Sequence, residues 1–205
     1  MRHFSKQTLD ALEVRYKNNL INSISGYKSA NLIGTKSIEG VSNLAVFNSV
    51  VHLGSNPALL GFILRPTTVP RHSFENMQAN GMLTINHVDA TQIKDAHHTS
   101  AKYPATVSEF DQTNLEEEYK EGWEAPFVKN APVQIACRYV NHYLIKENDC
   151  LLVVVSIEHL FLQDHMLLDD GWVQLDQGDI VTINGLDGYA LPKLLDRFPY
   201  ARPNE

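Results

Sequence analysis

Positions 42 to 73 read SNLAVFNSVVHLGSNPALLGFILRPTTVPRHS, and the side chains in this run fall into two chemical groups. Asn43, Asn48 and Ser49, with Phe47 among them, place short hydrogen-bonding groups and one aromatic ring along a strand and its end. Arg65, Arg71, His72 and Ser73 place two guanidiniums, an imidazole and a hydroxyl around a turn that opens a helix. An arginine fork fits a phosphate bidentately, and the first N–H groups of a helix favour an anion. Small polar groups at one point and anion-binding groups at another are what a phosphorylated heterocycle requires.

Those groups need elements to hold them. An N-terminal helix is expected over about 5–17: Ser5 suits an N-cap, Phe4 and Leu9 have the spacing of a hydrophobic staple, and Leu9, Leu12 and Tyr16 share a face. Strands are expected at 20–25, 30–35, 42–51 and 59–64, separated by Gly, Asn and Pro. None is followed by a helix long enough for a parallel crossover, so the sheet is expected to be antiparallel. A short helix over 73–80 closed by Gly81 and a strand over 82–87 come next. The interval 91–132 is charged and loop-rich, with short helices near 93–100 and 107–113.

Two long strands complete the pattern. Val133, Ile135, Cys137 and Tyr139 alternate with Gln134, Ala136 and Arg138, the period of a half-buried strand over 133–143. The run 150–162 is mostly apolar, as a central strand is, and IKEND joins the two as a hairpin. With no internal repeat, low-complexity tract or linker, residues 1–205 read as one mainly β domain, an antiparallel Greek-key barrel with short peripheral helices.

Bulk properties narrow the function. The chain has 205 residues, 43% of them hydrophobic, which suits a single folded domain. Its 24 acidic and 17 basic residues give a net charge of -7, which opposes nucleic acid or an anionic membrane as partner. The longest strongly apolar run, 150–157, is far short of the roughly 20 residues that span a bilayer. The polar, helical N-terminus lacks the apolar core of a secretion signal, so a cytoplasmic location is expected. Cys137 and Cys150 match neither a redox nor a zinc spacing and read as buried reduced thiols. The nine histidines share no metal-ligand spacing, and no metal site is expected. The acidic run Glu116 to Glu118, with Glu121 and Glu124 after it, reads as a solvated helix face.

No nucleophile elbow, dinucleotide-binding turn, Walker loop or zinc helix is present. Such silence is expected where an organic cofactor carries the reaction. In that light five fragments acquire meaning: SNLAVFNSV at 42–50, NPALLGFILRP at 56–66, RHSFENM at 71–77, TINHV at 84–88, and HTSAKYP followed by SEF between His98 and Phe110. In this order, and over a span from about Leu20 to the FPYAR run at 198–202, the chain resembles the flavin reductase-like family with the FMN-binding split barrel, in the branch that includes flavoredoxin-type proteins.

The resemblance implies a split barrel that binds FMN and takes hydride from NADH or NADPH, with no side chain required as general acid or base. It implies that Asn43, Phe47, Asn48 and Ser49 run beside the isoalloxazine and that Arg65, Arg71, His72 and Ser73 hold the phosphate, Ser73 standing where the family more often has Thr. Asn86, Thr99 and Ser100, with Lys102, are further candidates at the flavin or nicotinamide, although a loop contact for Asn86 and a helix cap for the hydroxyls account for them equally well. Tyr189, Phe198 and Tyr200 are aromatic groups that could shelter the ring from a neighbouring subunit or pack the C-terminal tail. A homodimer with FMN near its interface is implied. The alternatives are an FMN electron carrier reduced by a partner protein, and a non-enzymatic ligand-binding barrel.

Overall fold

The computed structural model describes residues 1–203. In chain order the elements are α1 (Lys6–Asp10), α2 (Val14–Ile24), β1 (Lys28–Ser29), β2 (Asn31–Lys36), β3 (Ser42–Phe47), β4 (Val51–Ser55), β5 (Ala58–Leu64), α3 (His72–Asn80), β6 (Met82–His87), α4 (Ile93–His98), β7 (Glu117–Glu118), β8 (Phe127–Val128), β9 (Val133–Ile145), β10 (Cys150–Leu162), β11 (Thr182–Asn184) and β12 (Gly188–Ala190). Seven of the strands form one sheet in the order β3-β2-β6-β9-β10-β5-β4. Every neighbouring pair in it is antiparallel.

Chain connectivity forces that sheet to roll up. β3 lies at one edge and β4 at the other, yet only Asn48, Ser49 and Val50 join them. Four Cα steps reach at most about 14 Å. A flat sheet would hold its edges six spacings of about 4.8 Å apart, roughly 29 Å. The two edges therefore approach each other at residues 48–50, and the sheet becomes a barrel split along that seam.

Side-chain alternation fills the barrel. Ile33, Phe62, Leu83, Ile85, Ile135, Val153 and Val155 form its interior, and Phe74 and Met77 of α3 pack into the same cluster. Burying those two side chains contributes about 1.5–3 kcal/mol each. That holds in place a nine-residue helix too short to persist alone. The opposite face of β2 and β3 carries Leu32 and Leu44 into a second cluster with Val88, Ala96, Phe110, Val128, Val181 and Ile183. β2 is thus buried on both faces. Gly34 in this strand permits a close approach, because a Cβ there would lie 2.2 Å from the Pro126 carbonyl oxygen and 2.6 Å from Thr84 Oγ1.

Four local expectations are corrected. The single N-terminal helix is two, because the Glu13 carboxylate accepts the N–H groups of Arg15 and Tyr16 at 2.9 Å and caps a second start. The strand expected at 20–25 is the second half of α2: Leu20, Ile21 and Ile24 have helical spacing that also reads as a short strand. The strand expected over 42–51 breaks at 48–50, where the chain crosses the seam. At 107–113 there is only a 3₁₀ turn, Phe110–Gln112. By contrast β6, β10, and α3 with its left-handed Gly81 closure at φ 76° lie where the pattern places them. Among the described residues no helix is long and apolar enough to cross a membrane.

Candidate functional site

The seam and the start of α3 are the two places where the sequence set its chemistry, and the fold treats them differently. At the seam the side chains serve the protein. Asn48 Nδ2 donates to the Gly185 carbonyl at 2.9 Å, in the β11–β12 turn. Ser49 Oγ accepts the Ile63 N–H at 3.0 Å and donates to the Ile63 carbonyl at 3.2 Å, extending the β4–β5 ladder by a side chain. Val50 is tied by its carbonyl to Ser29 Oγ at 3.2 Å. Phe47 packs edge-to-face on Phe62, with centroids 5.3 Å apart.

These contacts pin the link while leaving its main chain open. Among the described residues the N–H groups of Asn48, Ser49 and Val50 take no partner. A row of free N–H groups on a pinned segment is a recognition edge for the acceptors of a flat heterocycle. Of the backbone and short polar side chains that the resemblance sets beside a ring, the side chains of Asn48 and Ser49 are bonded within the protein and the main chain they hold is left open.

At α3 the cations are available. Arg71 is the N-cap, and its side chain gives the helix no capping bond. Its Nε donates to the Pro66 carbonyl at 3.2 Å, which steers the guanidinium and leaves both terminal nitrogens without a protein partner among the described residues. Arg65, at the end of β5, is exposed and makes no bond or ion pair there. Glu75 accepts the Arg71 backbone N–H at 3.1 Å, and His72 begins the helix half-buried. An uncapped N-terminus beside an unpaired guanidinium suits a phosphate in charge and in donor supply.

Ser73 departs from the expectation. It is 7% exposed and its hydroxyl donates to Asn43 Oδ1 at 2.7 Å, so its one proton is engaged inside the protein. Asn43, 8% exposed, is likewise internal: Nδ2 donates to Glu109 Oε2 at 2.8 Å, and Oδ1 also accepts from Thr35 at 3.4 Å. Asn76 Nδ2 donates to Thr35 Oγ1 at 3.1 Å, tying the middle of α3 into the same network. Burial pushes the Glu109 carboxyl above its ordinary value of 4.5, opposed by its bonds to Leu44 N–H and Asn43 and by the nearby His72 charge.

Two more expected ligand contacts are structural. Asn86 is fully buried; it donates to the Leu32 carbonyl at 3.1 Å and to Thr84 Oγ1 at 3.0 Å, and accepts the Val128 N–H at 3.0 Å. Both amide hydrogens are engaged and the side chain is fully buried, so Asn86 presents nothing to a ligand. Thr99 is buried and donates to the Ala96 carbonyl at 2.8 Å, closing α4. Ser100 and Lys102 are exposed beyond that helix. Tyr189 is half-buried, with its hydroxyl 3.3 Å from His97 Nδ1, while Phe198 and Tyr200 are exposed. Two shallow clefts of 320 and 280 Å³ lie at α4 and the Asn114 loop, and none of the expected flavin residues line them.

The sequence reading missed Glu109, Thr35 and Asn76 as parts of this region. Glu109 lies in the SEF fragment and Asn76 in RHSFENM, both of which carry the family resemblance, but no role was assigned to either.

The distance between the two ends constrains the ligand. Ser73 fixes α3 to Asn43, five residues before Asn48 along β3 and the link. At about 3.3 Å per residue that is roughly 16 Å. A molecule touching both ends must carry its phosphate on a spacer of several atoms.

Comparison with known proteins gives the family and the fold. The family model described as flavin reductase like domain matches residues 27–173. The chain belongs to this family. Flavin-dependent oxidoreduction is therefore its broad class of chemistry. No protein of curated function matches. Among solved structures, one described as a candidate flavin reductase with a split barrel domain, from Shewanella frigidimarina NCIMB 400, is 43% identical, covers 98% of this chain and 100% of its own, and superposes with a TM-score of 0.94. Nitrilotriacetate monooxygenase component B from Bacillus cereus shares the fold at 18% identity, with 98% coverage of each chain and a TM-score of 0.82. Flavoredoxin of Desulfovibrio vulgaris (Miyazaki F) does so at 17% identity, covering 83% of this chain and 90% of its own, with a TM-score of 0.72. The split barrel of the flavin reductase-like family is thus the fold of this chain.

Proposed function

We propose that this flavin reductase-like protein binds FMN, with the ring along the 48–50 link and the phosphate at the N-terminus of α3, and that it is an NAD(P)H-dependent flavin reductase. The observation that carries the reading is the unpaired Arg71 guanidinium at an uncapped helix N-terminus, about one strand's length from a row of free N–H groups. Bound there, the flavin would supply a ring that accepts hydride from NADH or NADPH and passes electrons on to an acceptor. Arg71, Arg65 and the first N–H groups of α3 would hold the phosphate. The link's N–H groups would orient the ring edge. None of these groups has to gain or lose a proton in that role.

The same proposal includes a homodimer. Tyr143, Leu152 and Ile63 stand in register on the outer face of β9, β10 and β5, next to the exposed Val51 and Leu53 of β4. A second copy on this apolar face would wall the crevice that a single chain leaves open, and a cytoplasmic setting suits a nicotinamide reductant. The test is the visible spectrum of purified protein before and after FMN, then after anaerobic NADH or NADPH. A bound flavin band that bleaches with nicotinamide is expected. Bleaching only with a reduced partner protein would make the chain an electron carrier, and a protein colourless after FMN would end the flavin reading.

A further inference from the structure

Glu109 touches neither end of the proposed site, yet it sits at the root of the network that fixes one of them. Its Oε2 accepts from Asn43 Nδ2 and from the Leu44 N–H, both at 2.8 Å. β3 is a sheet edge, so this carboxylate satisfies a main-chain donor that no neighbouring strand reaches. Ionised, a carboxylate only accepts. Asn43 must therefore present its NH₂ to Glu109 and its carbonyl oxygen the other way.

That orientation propagates. Facing Asn43 Oδ1, Ser73 has to donate, and it does so at 2.7 Å. Thr35 donates to the same oxygen and accepts from Asn76 one turn further along α3. Two points on the helix, Ser73 and Asn76, are thereby tied to the strands by bonds whose direction starts at residue 109.

We propose that Glu109 is a positioning residue for the anion cradle: through Asn43 and Ser73 it sets where the N-terminal N–H groups of α3 and the Arg71 guanidinium point. The inference rests on the phosphate reading above and adds to it a residue that the ligand never meets. Hydrophobic packing of Phe74 and Met77 holds α3 on the barrel but, being non-directional, is less able than hydrogen bonds to fix its rotation about its axis. Directional bonds at its first turn remove that freedom.

The test compares FMN with riboflavin, which lacks the phosphate, by titration calorimetry on the full chain. Wild type is expected to prefer FMN, and the size of that preference reports on the phosphate reading alone. Glu109→Ala is expected to lose about tenfold in FMN affinity, the equivalent of one hydrogen bond of ordinary strength, while riboflavin affinity stays within about twofold. Glu109→Gln should regain most of the loss, because the Leu44 N–H keeps the Gln oxygen turned inward and Asn43 can still donate to it. If Glu109→Ala does not fold, Ser73→Ala takes its place and should show the same selective loss. An equal fall for FMN and riboflavin, an unchanged FMN affinity, or failure of Gln to recover overturns the proposal. A wild type that binds both flavins equally overturns the phosphate reading and the role of Glu109 together.

Discussion

Arg71→Ala isolates the phosphate end of the site. The side chain makes one internal bond, from Nε to the Pro66 carbonyl at 3.2 Å, and offers the rest of its fork to solvent or ligand. Hydrogen bonds to a charged group are worth about 1.5–3 kcal/mol. Arg71 is half-buried, so solvent screens it only in part, and about 2 kcal/mol is the appropriate figure, or about thirtyfold in Kd. The lost Pro66 bond is made inside the protein and its loss slackens the 66–70 turn, which affects stability rather than affinity. Arg71→Lys separates the two: it keeps a charge and loses both the fork and the Nε bond, so it should fall between wild type and Ala. The assay is calorimetric titration with FMN, followed by the rate of anaerobic reduction at saturating FMN. Affinity should fall about thirtyfold while the reduction rate of the loaded protein changes less than about threefold. An affinity within twofold of wild type, or a rate that collapses when affinity does not, would show that the phosphate lies elsewhere.

Two further outcomes follow from buried groups. Asn86→Ala leaves the fully buried Val128 N–H without its acceptor and removes two donated bonds, which should cost about 3 kcal/mol and lower Tm without changing the FMN affinity of the folded protein; unchanged Tm with weakened FMN binding would return Asn86 to the ligand site. His87 encloses an unpartnered Nδ1, and although the residue as a whole is only partly buried, its surroundings lower its pKa from 6.5 to about 4. The unfolded chain takes up a proton in that window and the folded chain does not, so stability is full above about pH 6.5 and is lost as pH falls towards about 4, by about 3 kcal/mol. Urea midpoints at pH 7 and 4.5 should therefore differ less in His87→Gln than in wild type; parallel pH dependence in the two would count against it.

What was legible in the chain depended on whether the deciding forces were local. β6 and β10 lie at the residues their patterns mark, because Gly81 stops a helix on one side and a turn-forming stretch precedes the other. The break at Asn48 was not legible, since it arises from closure of the barrel between strands at opposite edges of the sheet. Cations near a helix start suit an anion through charge alone, and among the described residues Arg65 and Arg71 form no ion pair there. A polar side chain at a strand end announces nothing so specific. Asn43 finds its partner 66 residues later in Glu109, and Asn86 finds Val128 42 residues later. Both would look the same in sequence had they faced a ligand.

This difference bears on how the two ends of the site respond to substitution. At the seam the groups free for a ligand belong to the main chain, and the side chains of Asn48 and Ser49 act by pinning it to Gly185 and Ile63. Any residue that keeps those pins leaves the N–H row in place, and any residue that breaks them frees the whole link at once. At the proposed phosphate end the recognition group would be the guanidinium itself, and no backbone rearrangement replaces its charge. Ring-end variants should accordingly divide into neutral ones and ones that lose the ring and loosen the barrel seam together. Phosphate-end variants should show graded losses of affinity on an otherwise intact fold. The two ends are coupled by β3, whose Asn43 belongs to the α3 network and whose last residue, Phe47, opens the link. Through that strand, a disturbance at Glu109 reaches the phosphate end first and the ring end only if β3 itself shifts.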